Sequence, residues 1–358
     1  MKIKNVKSSK LDLVSLGECM IRFSPPGHGR IEFSNLFEAH VGGGEYNVAY
    51  AAARLGLRTG WVSRLVDNPL GHLILQHARA GKVDVSNVVI VKYDGVGKAD
   101  RIGLNFTEVG VGVRGSVTLY DRGHSAASRM KPGEVNWKSL LAGVRWLHTG
   151  GIFTALSDSC AETVKAALHA AHEAGAVVSY DLNFRSKLWS SAQAQKVTKK
   201  LVKYIDFLIG NEEDFEKALG FQIEETGEDY SSLDPAQYKK MVEKVVETYP
   251  HLKGVATTLR EVTSGLLNNW SAILWYDGKF HQSRIYKNLE VEDRVGGGDG
   301  FSAGMIYGFL RGDMSPQEAV ELGAAHGALV QSTRGDISQV SFEEVKHVMG
   351  GGSARIKR

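Results

Sequence analysis

The chain has 358 residues, 43% of them hydrophobic, with 43 basic against 40 acidic side chains and a formal net charge of +3. Basic clusters occur only in "MKIKNVKSSK" and "SARIKR" at the two ends, so no internal stripe of the kind nucleic acids require is present. Cys19 and Cys160 are too few for a disulfide framework or a CxxC motif, and no apolar stretch approaches the ~20 residues that cross a bilayer.

The expectation is a soluble cytoplasmic protein with no membrane or nucleic-acid partner. In chain order, "LDLVSLGECMIRF" (11–23) reads as a strand, a glycine turn and more strand. "EYNVAYAAARLG" has helical spacing and stops at Gly56, a plausible C-cap. "RTGWVSRLV" is a strand, and "NPLGHLILQHARAG" a helix with Pro69 near its start. Three more strand–helix pairs follow. "VRWLHTGG" precedes "SDSCAETVKAALHAAHEAG", "AVVSYDLNFR" precedes "SAQAQKVTKKLVKY", and "DFLIGN" precedes "EEDFEKALG". This alternation predicts an α/β fold with a mainly parallel sheet. Two segments break the rhythm, 30–41 and 99–123, and read as pieces of a small separate sheet. Residues 225–237 read as a surface loop. The simplest organisation is one domain over 11–349 with those two β insertions and with tails at 1–10 and 350–358.

Two apparent motifs fail. "GVGVRG" (110–115) matches GxGxxG but is followed by a strand, so the helix N-terminus that a dinucleotide needs is missing. It reads as a hairpin turn. "GVGKAD" lacks both the first Walker glycine and the hydroxyl residue after its lysine.

"DRVGGGDGFSAG" (293–304) is harder to dismiss. Glycines before a helix remove Cβ atoms and aim backbone N–H groups outward at the positive helix end, where anions bind. Such a cluster can receive the charge that develops in phosphoryl transfer, and Asp299 beside it could take a proton from an attacking hydroxyl. The competing reading makes Asp299 an N-cap and the glycines a turn. "GNEEDF" opens a helix directly after a strand. Asn211 and the three acids Glu212, Glu213 and Asp214 there could hold Mg²⁺ through water and orient phosphates, or could simply favour a helix N-terminus.

These stretches resemble the ribokinase-like (PfkB) carbohydrate kinases. Asp293, Gly296, Gly298, Asp299 and Phe301 match that family's DTxGAGDxF signature, with Arg294 for the common Thr and Gly297 for the common Ala. Gly42, Gly43, Asn47, Ala49, Leu55 and Gly56 match its GGxxxNxAxxxxxLG signature, and "NEED" resembles its NxxE element with Asp214 for the Glu. The resemblance implies a three-layer α/β/α sandwich with a small β-sheet lid, and ATP and Mg²⁺ as cofactors. It implies Asp299 as base, Gly296, Gly297 and Gly298 as anion hole, and Gly42, Gly43 and Asn47 on the sugar. It also implies Glu213 and Asp214 on the metal side through water, and Asn211 and Gly298 at the nucleotide. Thr258 and Arg260 stand in place of a nucleotide loop. Ala325 and His326 lie on the adenine side in "AAHGALVQSTRGD".

Tyr120 and Arg122 lie two apart on a lid strand, and Arg185 follows "SYDLNF". Two arginines converging on one pocket suit a carboxylate, although arginines are usually surface charges. "VTLYDRGHSAAS" and "YDLNFRSKLW" resemble the 2-keto-3-deoxygluconate kinase branch. That resemblance gives Tyr120, Arg122 and Arg185 the substrate's carboxylate and puts Phe106 where a substrate-contacting Tyr is common. A sugar-acid 6-kinase is therefore expected, with a neutral-ketohexose kinase and a non-catalytic binding protein as rivals. A homodimer through exposed lid edges is also expected.

Overall fold

The computed structural model describes residues 1–221 and 235–352. Most of the loop expected at 225–237, and the last six residues of the C-terminal tail, lie outside the described residues. The strands are β1 (Leu11–Leu16), β2 (Met20–Ser24), β3 (Glu38–Gly42), β4 (Thr59–Val62), β5 (Arg64–Asp67), β6 (Val89–Lys92), β7 (Leu104–Glu108) and β8 (Val117–Asp121). They continue with β9 (Val144–Gly150), β10 (Val177–Asp181), β11 (Phe207–Ile209), β12 (Gly254–Ser264), β13 (Leu267–Tyr276), β14 (Lys279–Gln282) and β15 (Tyr286–Glu290). The α-helices are α1 (Gly44–Arg54), α2 (Pro69–Ala80), α3 (Trp137–Ala142), α4 (Gly151–Thr154), α5 (Asp158–Ala174) and α6 (Ser191–Leu201). After them come α7 (Glu212–Leu219), α8 (Pro235–Thr248), α9 (Gly297–Arg311), α10 (Pro316–Val330) and α11 (Phe342–Met349).

The main sheet runs β14-β13-β12-β11-β10-β9-β1-β4, with β15 also on β13. From β12 to β4 every pairing is parallel, as the strand–helix rhythm requires. Strands β1 and β9 are buried along their whole length. A parallel sheet covered on both faces reads as a near-continuous apolar run for this reason. One core cluster joins the sheet to α5–α8 through residues such as Leu168, Leu201, Phe215 and Val242. A second joins the opposite face to α1, α9 and α10 through Val48, Trp146, Phe309 and Val320. These are the three layers expected.

Helices α9 and α10 meet along small residues. A Cβ on Gly304 would lie 2.9 Å from Gly323 Cα, and one on Gly308 would lie 2.8 Å from Ala319 Cα. A Cβ on Gly327 would lie 2.7 Å from Gly297 O, so α10 also backs the first turn of α9. Close packing of this kind fixes where the N-terminus of α9 points.

The small sheet has the order β3-β2-β7-β8. The 99–123 insertion supplies the hairpin β7–β8 with Gly110–Gly115 in its turn. Of the 30–41 insertion only the end is strand, β3, and Ile31–Phe33 forms one 3₁₀ turn. The continuation of the first strand, β2, leaves the main sheet and becomes the centre of this lid. "RTGWVSRLV" splits at Ser63 into β4 of the main sheet and β5, which pairs with β6. The antiparallel extension β13–β15 has no counterpart in the sequence-based expectation. Thr258 and Arg260 consequently sit inside strand β12, not in a loop. Residues 1–10 are not a free tail: Arg145 donates to Lys4 O at 2.9 Å, and Arg58 to Val6 O at 3.1 Å and Ser9 O at 2.8 Å. No helix among the described residues is long and apolar enough to cross a membrane.

Candidate active site

The lid faces a cleft of about 470 Å³, within the roughly 300–1,000 Å³ of small-molecule pockets. Its lining comes from Glu18 after β1, Ile152 after β9, Asp181 at the end of β10, Asn211 after β11 and the first turn of α9. It therefore sits over the carboxyl ends of the parallel strands, where open α/β sheets bind ligands.

The glycine run builds one wall. Gly296 caps α9 with φ at +85°, a conformation that favours glycine, and a Cβ there would lie 2.2 Å from Asp336 O. A Cβ on Gly297 would press on Gln331, so Gly296 and Gly297 both turn their Cβ positions to the protein, while the backbones of Gly296 and Gly298 line the cleft. Around Gly298 a Cβ would meet nothing within 4 Å, which leaves room for a ligand against the backbone. No side chain caps this turn, so its N–H groups face the open site. Asp299 is inside the helix and not its cap. Its Oδ2 accepts a 2.7 Å hydrogen bond from Asn47 Nδ2, and Asn47 Oδ1 accepts from Gly43 N at 3.2 Å. The two signatures, 252 residues apart, thus meet through one side-chain pair. Burial raises the Asp299 carboxyl to about 6, the Asp336 charge adds to this, and Asn47 and Arg185 oppose it.

Gly42 and Gly43 line the cleft and are required for packing. A Cβ on Gly42 would lie 2.3 Å from Asp336 Cβ, and one on Gly43 2.0 Å from Glu18 O.

Beneath them lies a cluster that the motifs do not disclose. Arg22 of β2, 2% exposed, donates to Asp293 at 2.5 and 3.3 Å, and its Nε lies 3.1 Å from Asp336 Oδ2. Asp293 also accepts from Val295 N at 3.1 Å and Gly335 N at 3.2 Å. Burial lifts Asp336 to about 6 against the pull of Arg22. The signal available beforehand was a lone arginine in the apolar stretch "MIRF".

Tyr120, Arg122 and Arg185 all line the cleft. Arg122 lies one residue beyond β8, with its guanidinium 5.5 Å from the Tyr120 ring centroid, and is ion-paired with buried Glu18. Ser125 donates to the same Glu18. Arg185 is exposed in the cleft and donates to Phe184 O at 2.9 Å. Phe106 does not reach the site. Side chains alternate along a strand, so Asn105 and Thr107 line the cleft while Phe106 packs outward on Phe23 and Phe37, at ring distances of 5.6 and 6.2 Å.

Of the residues expected at the nucleotide, Asn211, Thr258 and Arg260 line the cleft, but Ala325 and His326 do not. Both are buried within α10, His326 is bonded to Ser338 Oγ at 2.7 Å, and burial lowers it to about 4. Arg294, not expected in the cleft from the sequence, lines it and donates to Ser264 O at 2.7 Å. Arg260 is exposed in the cleft. Neither arginine has a carboxylate within ion-pair distance among the described residues.

Asp214 is a structural cap. It accepts from Asn211 N at 3.0 Å and from Phe184 N at 2.7 Å, while Asn211 Oδ1 accepts from Asp214 N. Each of its oxygens accepts one backbone amide, and the residue also lines the cleft. Glu213 is exposed in the cleft. Among the described residues no group of three His, Cys, Asp or Glu side chains could enclose an ion. An oxygen donor at an open cleft fits a magnesium ion that keeps most of its waters.

Comparison with known proteins bears on this arrangement. The pattern of the pfkB family carbohydrate kinases matches residues 10–342. A Haloferax volcanii protein named 2-dehydro-3-deoxygalactonokinase is 31% identical over 97% of this chain and 99% of its own length. A Thermoproteus tenax protein named 2-dehydro-3-deoxygluconokinase is 29% identical over 93% of this chain and 92% of its own. The crystal structure of 2-dehydro-3-deoxygluconokinase from Thermotoga maritima superposes with a TM-score of 0.88 at 37% identity, covering 95% of this chain and all of that one. With the glycine-built N-terminus of α9 and the Asn47–Asp299 pair in place, the chain belongs to the pfkB family of carbohydrate kinases.

Proposed function

We propose that this protein transfers the γ-phosphoryl group of ATP to the terminal hydroxyl of a sugar acid, 2-keto-3-deoxygluconate, giving the 6-phosphate. The observation that carries the reading is the convergence of Arg122 and Arg185 on the cleft that holds Asp299. A guanidinium fork matches a carboxylate, and Arg185 has no carboxylate within ion-pair distance among the described residues. The names of the relatives point to the same substrate class.

In this reading the sugar lies between Asn105, Thr107 and Tyr120 of the lid and Gly42 and Gly43 of the floor. Asn47 holds the Asp299 carboxylate toward the reacting hydroxyl. Asp299 takes the hydroxyl proton as the oxygen bonds to the γ-phosphorus and the bond to the ADP oxygen breaks. The N–H groups at Gly296–Gly298 receive the charge on the transferring group. Arg260 and Arg294, two cations without counterions, suit the triphosphate chain. Glu213 would hold hydrated magnesium, which when bound neutralises phosphate charge. Closure of the lid keeps water from the γ-phosphate.

Two lid edges, β3 and β8, have no strand partner on their outer side among the described residues, and β8 exposes Val117 and Leu119. We place a homodimer contact on this sheet and the protein in the cytoplasm. Sedimentation equilibrium should return twice the 39.0 kDa chain mass, and a monomer at micromolar concentration would contradict the contact.

Asp299→Asn should lower kcat by ~10²–10⁴-fold with the Tm little changed, and a loss of only a few-fold would remove Asp299 as base. Because the folded carboxyl titrates at about 6 and only its ionised form accepts the proton, wild-type kcat/KM should fall as pH drops through that value. Arg185→Ala removes charged hydrogen bonds of about 1.5–3 kcal/mol. The KM for the sugar acid should therefore rise about 10–100-fold while that for fructose changes little. Equal effects on both sugars would sink the carboxylate reading. Arg294→Ala should raise KM for ATP and not for the sugar, as initial-rate kinetics would report.

A further inference from the structure

Glu45 is the unexplained acid of this cleft. It stands in the first turn of α1, is 5% exposed and lines the pocket beside Asn47. Two glycines make room for its carboxyl. A Cβ on Gly17, after β1, would lie 2.2 Å from Glu45 Oε2, and a Cβ on Gly150, at the end of β9, would lie 3.1 Å from Oε1. The carboxyl is thus seated over the carboxyl ends of two central strands, on the floor of the cleft. No cation lies within ion-pair distance of it among the described residues, and the nearby Arg122 is ion-paired with Glu18.

Its surroundings are acidic. The charges of Asp299 from α9 and Glu18 from the β1–β2 turn disfavour its ionisation, and Arg122 from the end of the lid hairpin favours it. Asp181 at the end of β10 and Tyr180 on the same strand also feel its charge. Burial is the largest influence and raises Glu45 to about 8, with its own backbone amide opposing. An ionised Glu45 would repel a sugar carboxylate from a pocket that already holds Asp299. A neutral one presents an O–H to the ligand space.

We propose that Glu45 acts as a neutral carboxylic acid that donates a hydrogen bond to an oxygen of the bound sugar acid, a specificity-determining contact on the floor of the site. The contact rests on the sugar-acid kinase reading above. The proton stays on Glu45 throughout, so the residue binds and orients and does not take part in phosphoryl transfer. The donor is replaceable by an amide and not by an apolar side chain of similar size.

The test compares wild type, Glu45→Gln and Glu45→Met by initial rates below and above pH 8. For wild type, KM for 2-keto-3-deoxygluconate should rise as pH passes that value. Glu45→Gln cannot ionise, and its KM should stay level across the same range. Glu45→Met should show a KM about tenfold higher or more below pH 8, as expected for a lost hydrogen bond in a buried site, with KM for ATP unmoved. The proposal is overturned if Glu45→Met binds the sugar acid as wild type does, or if Glu45→Gln keeps the pH-dependent rise. An infrared difference spectrum of wild type minus Glu45→Gln at neutral pH gives a reading that needs no turnover. It should contain one protonated-carboxyl stretch that the variant lacks, and its absence would also overturn the proposal. Failure of wild type to phosphorylate any sugar acid would instead refute the functional reading, with the infrared band still deciding the state of Glu45.

Discussion

The buried guanidinium of Arg22 is the fastening on which the site depends. A charge 2% exposed survives only when its partners satisfy it. Asp293 takes one edge of the fork and Asp336 lies at Nε. These three residues come from the lid strand, the turn before the glycine run and the loop after α10. Asp293 further accepts from Val295 N and Gly335 N, so the same carboxylate shapes the approach to the glycine run. The lid and the glycine-rich turn before α9 are therefore tied at one point, and removing either carboxylate would leave the buried cation with only one of its two anionic partners.

From that point the chemistry divides between two helix N-termini. The end of α9 offers uncapped N–H groups because Gly296 turns left-handed and Gly298 leaves open space. The start of α1 supplies Asn47, which holds Asp299, and Glu45, which sits beside it. The α10 helix approaches closely enough, through Gly323 and Gly327, to fix the direction of α9. All five of the charged groups used in the proposed reaction line one cleft: Arg260 and Arg294, proposed for the nucleotide, Asp299, proposed as base, and Arg122 and Arg185, proposed for the sugar acid.

Much of this was legible in the sequence. Three consecutive glycines ahead of an apolar helix have little packing value, so they pointed to a backbone that must approach something. The strand–helix rhythm gave the parallel half of the sheet, and the Gly110–Gly115 stretch was a hairpin turn as read. What was not legible depended on distance or on facing. Arg22 and Asp293 are 271 positions apart, and nothing local marks them as partners. Phe106 was placed by resemblance, which identifies a position and not a face. The alternation in "LNFTE" carried the information that Asn105 and Thr107 point inward. Ala325 and His326 lie in a helix buried on nearly all sides, where apolar periodicity cannot separate a ligand wall from a helix interface. Asp214 occupies a motif position but spends both oxygens on amides, a use that only geometry discloses.

The central claim is that a sugar acid, held by arginines beside a buried aspartate, receives the phosphoryl group. The most direct measurement is ADP release by the wild-type enzyme with Mg·ATP and 2-keto-3-deoxygluconate, set against fructose and ribose. The account predicts sustained turnover with the acid and a kcat/KM well above that for either neutral sugar. Turnover of fructose or ribose equal to that of the acid, or no turnover of the acid at all, would contradict it.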